Sequence, residues 1–585
     1  VRTRRLESAA YPLVGLALGM VFTMGLMTNL IRSGGATLEA TVVDVAPASE
    51  PKTRKLPRLP WQRLLHPLTA ILAVQAGLSL TLVWSNTAFD DEADYLSLGH
   101  YLIAHWLHGT PWPSVYGDHT LSGSPIIYPP IGAMADAVGG LAGARILSLM
   151  FMLGATALLY FTAQRLFGNA TAMFGTALWA VSEPTLRLAF ATYDPLSLLL
   201  TALAAWLVVQ AGSRYHRGEL ITAAAAALAL ANVTAYSGVI ITPVVIGFAV
   251  VVWLPSMGRQ AWSAAGWLAA GWGVFFGAGM TLSHSWPGIM YTVIDRQVGG
   301  RQGFTYVLRD IWGFGGIVLV LAAIGVVISL SAKDRRALLL MLAAGLLAVP
   351  AAQLHDVTIT SLDKHLSYGL WFGTMAAGYG ISRLIQKGLL GRRAVTLCAV
   401  AALAYPAVVN WEAAWSEDHV WPNASSFVTS FRKMAASASG IIYVPGNEYH
   451  ISEYYAPAKF SWTRLSGSNL SYQFSFDPAL PRSRWTAYYN TQLRVHHYGA
   501  VVLVYETTFS ARLPRGELFS SSGTTAQILG LVGANSGEPG LPALTFALES
   551  DHAYRIVAVG PYNTTPLSGS PSYGTYAIWE RVGRS

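Results

Sequence analysis

The residues best suited to chemistry lie in one short acidic stretch. Phe89-Asp90-Asp91-Glu92-Ala93-Asp94-Tyr95-Leu96 places four carboxylates within five positions, shortly after an apolar run. Carboxylates beside a membrane are energetically costly unless water, a cation or a substrate meets them. A solvated acidic loop and a reactive site explain this stretch equally well, so the surrounding sequence is needed to decide between them.

The composition indicates which solvent surrounds the elements that carry this stretch. Of 585 residues, 53% are hydrophobic and 12% are charged, and the mean hydropathy is +0.41. Soluble proteins carry about 25% charged residues, so most of this chain is expected to lie in lipid. The net charge of +8 arises from short basic clusters between apolar runs. This is the positive-inside pattern of membrane proteins and argues against nucleic-acid binding.

Apolar runs predict about 11–12 membrane-spanning helices, because a span needs about 20 mostly apolar residues. The runs are Tyr11–Ile31, Leu65–Trp84, Ala144–Phe161, Ala170–Ser182, Pro195–Val209, Leu220–Val233, Val239–Leu254, Ala264–Leu282, Ile311–Leu330, Leu338–Val349, Leu366–Ile381 and Val395–Val409. The first is expected to be a membrane anchor rather than a removed signal peptide, because it lacks a clear small-residue cleavage site.

Charge asymmetry predicts the orientation of these helices. If Leu65–Trp84 runs outward, the basic loops near Arg165, Arg259 and Lys333 lie in the cytoplasm, as the positive-inside rule expects. The acidic stretch and the chain after Asn410 then lie outside. We therefore divide the chain into an N-terminal helix with a basic cytoplasmic linker (1–64), a transmembrane catalytic domain (65–409, with external loop 85–141) and an extracytoplasmic domain (410–585).

The composition changes after Asn410. Apolar runs shorten to strand length, as in Gly440–Val444 and Ala500–Tyr505, and a helical pattern covers Ser426–Ala438. Strands that alternate with helices predict a small α/β domain. Its many Tyr and Trp residues would suit sugar stacking, but core packing is the simpler explanation for them.

Further elements follow the acidic stretch in a fixed order. Tyr128-Pro129-Pro130-Ile131 comes first, Gly143-Ala144-Arg145-Ile146-Leu147-Ser148 opens a helix, and Phe190-Ala191-Thr192-Tyr193-Asp194-Pro195-Leu196 places an acid at the start of another. This order resembles the GT-C superfamily of membrane glycosyltransferases, in particular the protein O-mannosyltransferase and lipid A aminoarabinose transferase group (glycosyltransferase family 39-like). The resemblance is good over Thr87–Trp206, weaker to about Gly380 and absent after Asn410.

The resemblance implies roles for individual acids. It places the family's catalytic Asp at Asp91, followed by Glu92, with Asp90 as the adjacent alternative, and it places a second membrane-surface acid at Asp194. Asp91 would deprotonate an acceptor hydroxyl while the sugar carbon is attacked from the face opposite the phosphate, which inverts that carbon. A retaining mechanism would need a carboxylate nucleophile, for which Glu92 or Asp194 is available, but we do not favour it.

The donor implied by the resemblance is a polyprenyl-phosphate sugar, whose leaving group gains negative charge. The family's Thr-Lys-Tyr element reads Thr234-Ala235-Tyr236 here, so its lysine is missing. Lys364 and His365 at a predicted outer helix start, together with Arg296 and Arg301, supply replacement cations for the phosphate. Each cation alone is explained as well by snorkelling to lipid headgroups.

No cofactor is required by these patterns, although a divalent cation such as Mg²⁺ or Mn²⁺ could bind. Asp118-His119 lies in the same external loop as the acidic stretch and could contribute ligands together with it. The pattern lacks the spacing of a dedicated metal motif.

Two other classes of function compete with a transferase. A transporter or flippase for a lipid-linked glycan predicts half-repeats and charges near mid-membrane, and the sequence has no internal repeat. A membrane-anchored glycan-binding protein would not need so many helices. The sequence therefore predicts a plasma (inner) membrane glycosyltransferase that acts on the extracytoplasmic side and whose partners are the bilayer, the donor and an acceptor glycan, lipid or protein.

Overall fold

The computed structural model describes most of the helical part of the chain and much of the C-terminal part. The described ranges are 67–85, 87–111, 125–212, 216–292, 303–333, 335–359, 361–387, 403–410, 423–444, 448–456, 460–466, 489–507, 544–564 and 572–582, apart from single positions within some of them, together with a few isolated residues. The predicted first span, Tyr11–Ile31, and part of Val395–Val409 lie outside the described residues.

The helical part follows the predicted apolar runs. Its helices are α1 Pro67–Val83, α2 Asp90–His108, α3 Tyr128–Phe167, α4 Asn169–Ala180, α5 Glu183–Arg187, α6 Asp194–Ala211, α7 Arg217–Thr234, α8 Thr242–Met257, α9 Gln260–Leu282, α10 Trp286–Met290, α11 Phe304–Ala332, α12 Arg336–Asp356 and α13 Leu362–Lys387. A 3₁₀ turn, Tyr236–Ile241, leads into α8. Among the described residues, six helical segments are long and apolar enough to cross a membrane. The prediction of a polytopic helical membrane protein is confirmed.

The segment predicted to be the external loop 85–141 is largely helical over its described residues. It contains α2, and α3 begins at Tyr128 rather than near Gly143. The two prolines at positions 129 and 130 explain this start, since proline fits the first turn of a helix, where no amide donor is needed. Gly140 interrupts α3 with a φ of 63°, a left-handed conformation that favours glycine.

Glycines allow α13 to lie in direct contact with helices on two sides. A Cβ atom on Gly378 would lie 2.5 Å from the Thr171 carbonyl oxygen of α4. On the other side, a Cβ on Gly325 of α11 would lie 2.3 Å from the Ala376 carbonyl oxygen. Small residues at such contacts are how membrane helices gain close packing. The position of α13, which carries Lys364 in its first turn, therefore depends on these contacts.

The C-terminal α/β domain is built on one mixed sheet. Its elements are α14 Ser425–Ser437, β1 Ile442–Tyr443, α15 Glu448–Tyr454, β2 Leu465–Ser466, β3 Ala500–Thr507, β4 Tyr554–Thr564 and β5 Ser572–Arg581. The strand order is β2-β1-β3-β5-β4. β1 is parallel to both β2 and β3, whereas β5 is antiparallel to β3 and β4. The predicted helix and strands overlap α14, β1 and β3, although β1 covers only Ile442–Tyr443 of the predicted Gly440–Val444.

Several aromatic residues of this domain form its core. Tyr443, Tyr498, Tyr562 and Trp579 are all buried, and Tyr443 and Tyr498 contact each other with ring centroids 5.2 Å apart. For these residues core packing, rather than sugar stacking, is the explanation that the structure supports.

α2 packs into the core of the C-terminal domain. Ala93, Leu98 and Leu102 of this helix share one buried cluster with Phe427 and Tyr562. Polar contacts accompany this packing, because the hydroxyl of Tyr101 in α2 donates to Glu453 Oε1 at 2.8 Å. α2 therefore connects the membrane helices to the C-terminal domain.

We predict that Gly378→Ala destabilises the protein by about 1–3 kcal/mol, because the added methyl group meets backbone atoms that cannot turn away. Gly277→Ala in α9 is the matched control, since no atom lies within 4 Å of its added Cβ, and it should be neutral or stabilising by up to about 1 kcal/mol. Unfolding in mixed detergent micelles with increasing dodecyl sulfate measures both. Equal stability of the two variants would contradict the close packing of α13.

Candidate active site at the helix ends

The carboxylates of the acidic stretch point in different directions because the stretch forms the first turn of α2. Successive residues of an α-helix are separated by about 100° around its axis, whereas residues four apart share a face. Phe89 caps the helix, and Asp90, Asp91 and Glu92 follow in its first turn. Acids are favourable there because of the helix dipole. The helix thereby separates carboxylates that are adjacent in sequence into different environments.

Glu92 lies in a fully buried ion pair with Arg145 of α3. Arg145 donates to Glu92 Oε2 at 2.6 Å and to Oε1 at 2.8 Å, and the side chains are 1% and 0% exposed. The Ala191 amide donates to Glu92 Oε1 at 2.9 Å, and Arg145 also donates to the carbonyls of Leu82 at the end of α1 and of Ser85 just after it. This arrangement favours a structural role for Glu92 over the catalytic role that the sequence suggested.

Asp91 lies on another side of α2 and contacts Lys364. Lys364 Nζ is 3.1 Å from Asp91 Oδ2 and 3.6 Å from Asp194 Oδ2. His365 Nε2 lies 3.9 Å from Asp194 Oδ1. Asp91 is 38% exposed, Lys364 14% and Asp194 0%. The structure therefore brings together four residues that the sequence placed on three separate segments.

A cavity of about 440 Å³ opens beside this group, between α2, α5, α11 and α13. Arg187 Nη1 pairs with Asp363 Oδ2 at 2.6 Å on its wall. Its polar lining is Asp90, Asp91, Arg187, Thr192, Asp310, Ser361, Asp363 and Lys364. The cavity thus combines a partly exposed carboxylate with cations.

Sequence reasoning missed Arg187, Asp310 and the part played by Asp363. Asp363 directly precedes the predicted site residue Lys364, and this adjacency could have identified it as a site residue. Arg187 ends the short helix α5 and Asp310 lies in the first turns of α11. Nothing in the local pattern distinguishes these two from ordinary interfacial charges.

Four predicted site residues lie outside the described residues. They are Asp118, His119, Arg296 and Arg301. Their assignment to a cation site and to the donor phosphate stays a prediction.

Asp90 and Asp94 share the face of α2 that meets α15 of the C-terminal domain. Burial raises the pKa of Asp90 well above its usual value, and the negative charge of Asp94 adds to the effect. Burial also raises the pKa of Asp94, with a further contribution from Asp91. Burial lowers the pKa of His450, which lies opposite them. A carboxyl with a raised pKa stabilises the fold at low pH, and that stability is lost as pH rises through the folded-state pKa.

Comparison with solved structures identifies the architecture. The chain aligns with apo oligosaccharyltransferase from Archaeoglobus fulgidus over 76% of this chain and 70% of that chain, with a TM-score of 0.52 and 12% identity. It aligns with ArnT from Cupriavidus metallidurans bound to undecaprenyl phosphate over 76% of this chain and 92% of that chain, with a TM-score of 0.51 and 15% identity. The chain has the GT-C fold.

The GT-C fold also matches a third structure, the A. fulgidus oligosaccharyltransferase AglB in complex with an inhibitory peptide and a dolichol-phosphate. That alignment covers 88% of this chain and 74% of the other, with a TM-score of 0.50 and 13% identity. No protein-family model and no curated protein sequence matches the chain significantly. The GT-C resemblance inferred from the order of motifs is therefore confirmed at the level of the fold.

We predict that Arg145→Met destabilises the protein by about 3–5 kcal/mol, because it leaves the Glu92 carboxylate buried without a counter-charge. Glu219→Gln is the control, because it breaks the exposed pair with His216 and should change stability by less than about 1 kcal/mol. The same detergent-unfolding assay applies. An Arg145→Met protein with wild-type stability would show that the ion pair does not hold the helix ends together.

Proposed function

We propose that the protein transfers a sugar from a polyprenyl-phosphate donor to an acceptor hydroxyl at the extracytoplasmic face of the plasma membrane. The observation that carries the proposal is the contact of Lys364 with both Asp91 and Asp194 beside the cavity. The GT-C fold supports it, because one similar structure is bound to undecaprenyl phosphate and another to a dolichol-phosphate. The basic helix ends near Arg165, Arg259 and Lys333 support this sidedness, because the positive-inside rule places them in the cytoplasm.

Asp91 is the proposed general base. It is the more exposed of the two carboxylates that contact Lys364, and it lines the cavity. The carboxylate would accept the proton of the acceptor hydroxyl as that oxygen bonds to the anomeric carbon. The bond from this carbon to the phosphate oxygen breaks at the same time, and its electron pair stays on the phosphate. Glu92 is held by Arg145 and Asp194 is fully buried, so neither is well placed as a nucleophile, which favours inversion.

Lys364 is the proposed contact for the donor phosphate. Its ammonium is at hydrogen-bond distance from Asp91, and an anionic phosphate entering the cavity would compete for it. If the Lys364 ammonium moved from Asp91 to the phosphate, it would stabilise the leaving group. The Asp91 carboxylate would then be available to accept the acceptor proton. Asp194 would keep the lysine in place during this exchange, because it contacts the same nitrogen from a buried position. Donor binding would thereby prepare the base.

The test uses purified protein in lipid vesicles with a panel of polyprenyl-phosphate sugars, and mass spectrometry of released polyprenyl phosphate. Because many transferases slowly pass sugar to water, no acceptor need be known in advance. Release from one donor supports the transferase and names the sugar. If no donor is bound or cleaved, the proposal fails and translocation of a lipid-linked glycan becomes the next hypothesis to assay.

We predict that Asp91→Asn lowers the rate of sugar transfer by about 10²–10⁴-fold, because an amide cannot accept the acceptor proton. Asp356→Asn is the control, because this carboxylate is 57% exposed at the end of α12 and outside the cavity lining. It should retain wild-type activity. An Asp91→Asn variant that keeps more than about a tenth of the activity would exclude Asp91 as the base.

We predict that Lys364→Ala raises the KM for the donor and lowers kcat by about 10²–10³-fold, with little change in the KM for the acceptor, because the leaving phosphate loses its cation. Lys333→Ala between α11 and α12 is the matched control and should leave all three parameters unchanged. Steady-state kinetics with varied donor at fixed acceptor, and the reverse, separate the two substrates. An unchanged donor KM and kcat would reduce Lys364 to a structural contact.

A further inference from the structure

Three potential metal ligands from two parts of the molecule lie together on the α15-facing side of α2. One ligand atom from each of Asp90, Asp94 and His450 lies within 4.8 Å of the others. The two acids come from one face of α2, and the histidine comes from α15 of the C-terminal domain. The cluster shares no residue with the group formed by Asp91, Lys364 and Asp194, although Asp90 also lines the cavity beside that group.

One carboxylate oxygen of this cluster is buried without a hydrogen-bond donor among the described residues. Asp94 is 6% exposed, and its Oδ1 atom forms an ion pair with His450 Nδ1. Asp90 Oδ1 is buried and accepts no hydrogen bond within the described ranges. Buried polar atoms in proteins are almost always satisfied, and a buried carboxylate without compensation is costly. An oxygen without a donor beside this buried ion pair indicates that a further group completes the site.

No lysine or arginine among the described residues forms an ion pair with Asp90 or Asp94. Glu453 lies close enough to Asp94 to add further negative charge, and Asp91 is adjacent in the helix. The local charge is therefore strongly negative, and a proton or a cation must neutralise it. A cation explains the position of His450 as well, because neutral imidazole is a common metal ligand.

We infer that Asp90, Asp94 and His450 form a binding site for a divalent transition-metal ion that joins α2 to the C-terminal domain. Two carboxylates and one imidazole suit an ion of intermediate softness such as Zn²⁺, whereas Mg²⁺ and Ca²⁺ prefer oxygen ligands alone. Glu453 accepts a hydrogen bond from Tyr101 at 2.8 Å and borders the site as a surrounding polar group. The ion would fix the start of α2, and with it Asp91, against the domain.

The test measures metal binding to the tag-free full-length protein, independently of sugar transfer. After removal of metal with a chelator, the wild type should bind one equivalent of Zn²⁺ by calorimetry and by elemental analysis. Asp94→Asn and His450→Gln should each weaken that binding by at least about tenfold, since each removes a ligand. His100→Gln is the matched control, because His100 lies on the exposed side of the same helix and pairs with one carboxylate, Asp136, at 2.7 Å. This variant should bind Zn²⁺ as the wild type does.

Two further measurements keep the inference testable if a variant is unstable. Zn²⁺ should slow amide hydrogen exchange in the peptides that contain α15 and the start of α2 of the wild type, and its affinity should rise with pH because the carboxylates must be ionised to bind it. Equal binding of Mg²⁺ would overturn the choice of a transition metal. Absence of stoichiometric Zn²⁺ binding by the wild type, or binding that both variants retain, would overturn the site itself, and the carboxylates would then be neutralised by protons.

Discussion

The buried ion pair between Glu92 and Arg145 is the contact on which the arrangement of the helix ends depends. Arg145 of α3 donates to the Leu82 carbonyl at the end of α1 and to Glu92 in the first turn of α2, and Glu92 also accepts from the loop before α6. Two charges removed from water at this point are tolerated because they pair with each other and with backbone carbonyl and amide groups. The pair fixes the rotation of α2 about its axis. That rotation decides which carboxylate faces which surroundings.

The rotation of α2 gives three neighbouring acids different partners. Glu92 faces inward to Arg145, Asp91 faces Lys364 and the cavity, and Asp90 lies near His450 of the C-terminal domain at the edge of the same cavity. A cluster of four carboxylates in the sequence would repel if all of them pointed the same way. The helix relieves this repulsion by distributing them over its surface. Each acid then meets a different partner, and its chemistry follows from that partner rather than from its type.

The far side of the candidate site depends on close helix packing rather than on charge. α13 carries Lys364 and His365, and its glycines bring it within backbone contact of α4 and α11. In lipid the hydrophobic effect does not distinguish helix contacts from lipid contacts, so close packing of small residues determines the position of a helix. Lys364 contacts both Asp91 of α2 and Asp194 of α6 because close packing holds α13 near these two helix ends.

The sequence by itself determined that the chain is helical and lies largely in lipid. A charge content of 12% over 585 residues indicates a chain in lipid, whereas the acidic start of α2 was predicted to lie in a loop. The order of the acidic stretch, the paired prolines and Asp194 was enough to predict the GT-C fold. Local pattern also predicted that Lys364 and Asp194 begin helices.

Only the tertiary structure decided which of these residues meet. Glu92 and Asp91 are adjacent in the chain and equally acidic, so no local rule separates a structural carboxylate from one that lines a cavity. His450 lies more than 350 positions after Asp94, in a domain where the resemblance is absent, and its contact with that acid depends on how α15 packs on α2. Arg187 joins the cavity through Asp363 for the same reason. Long-range contacts depend on helix rotation and packing depth, which the identities of single residues do not encode.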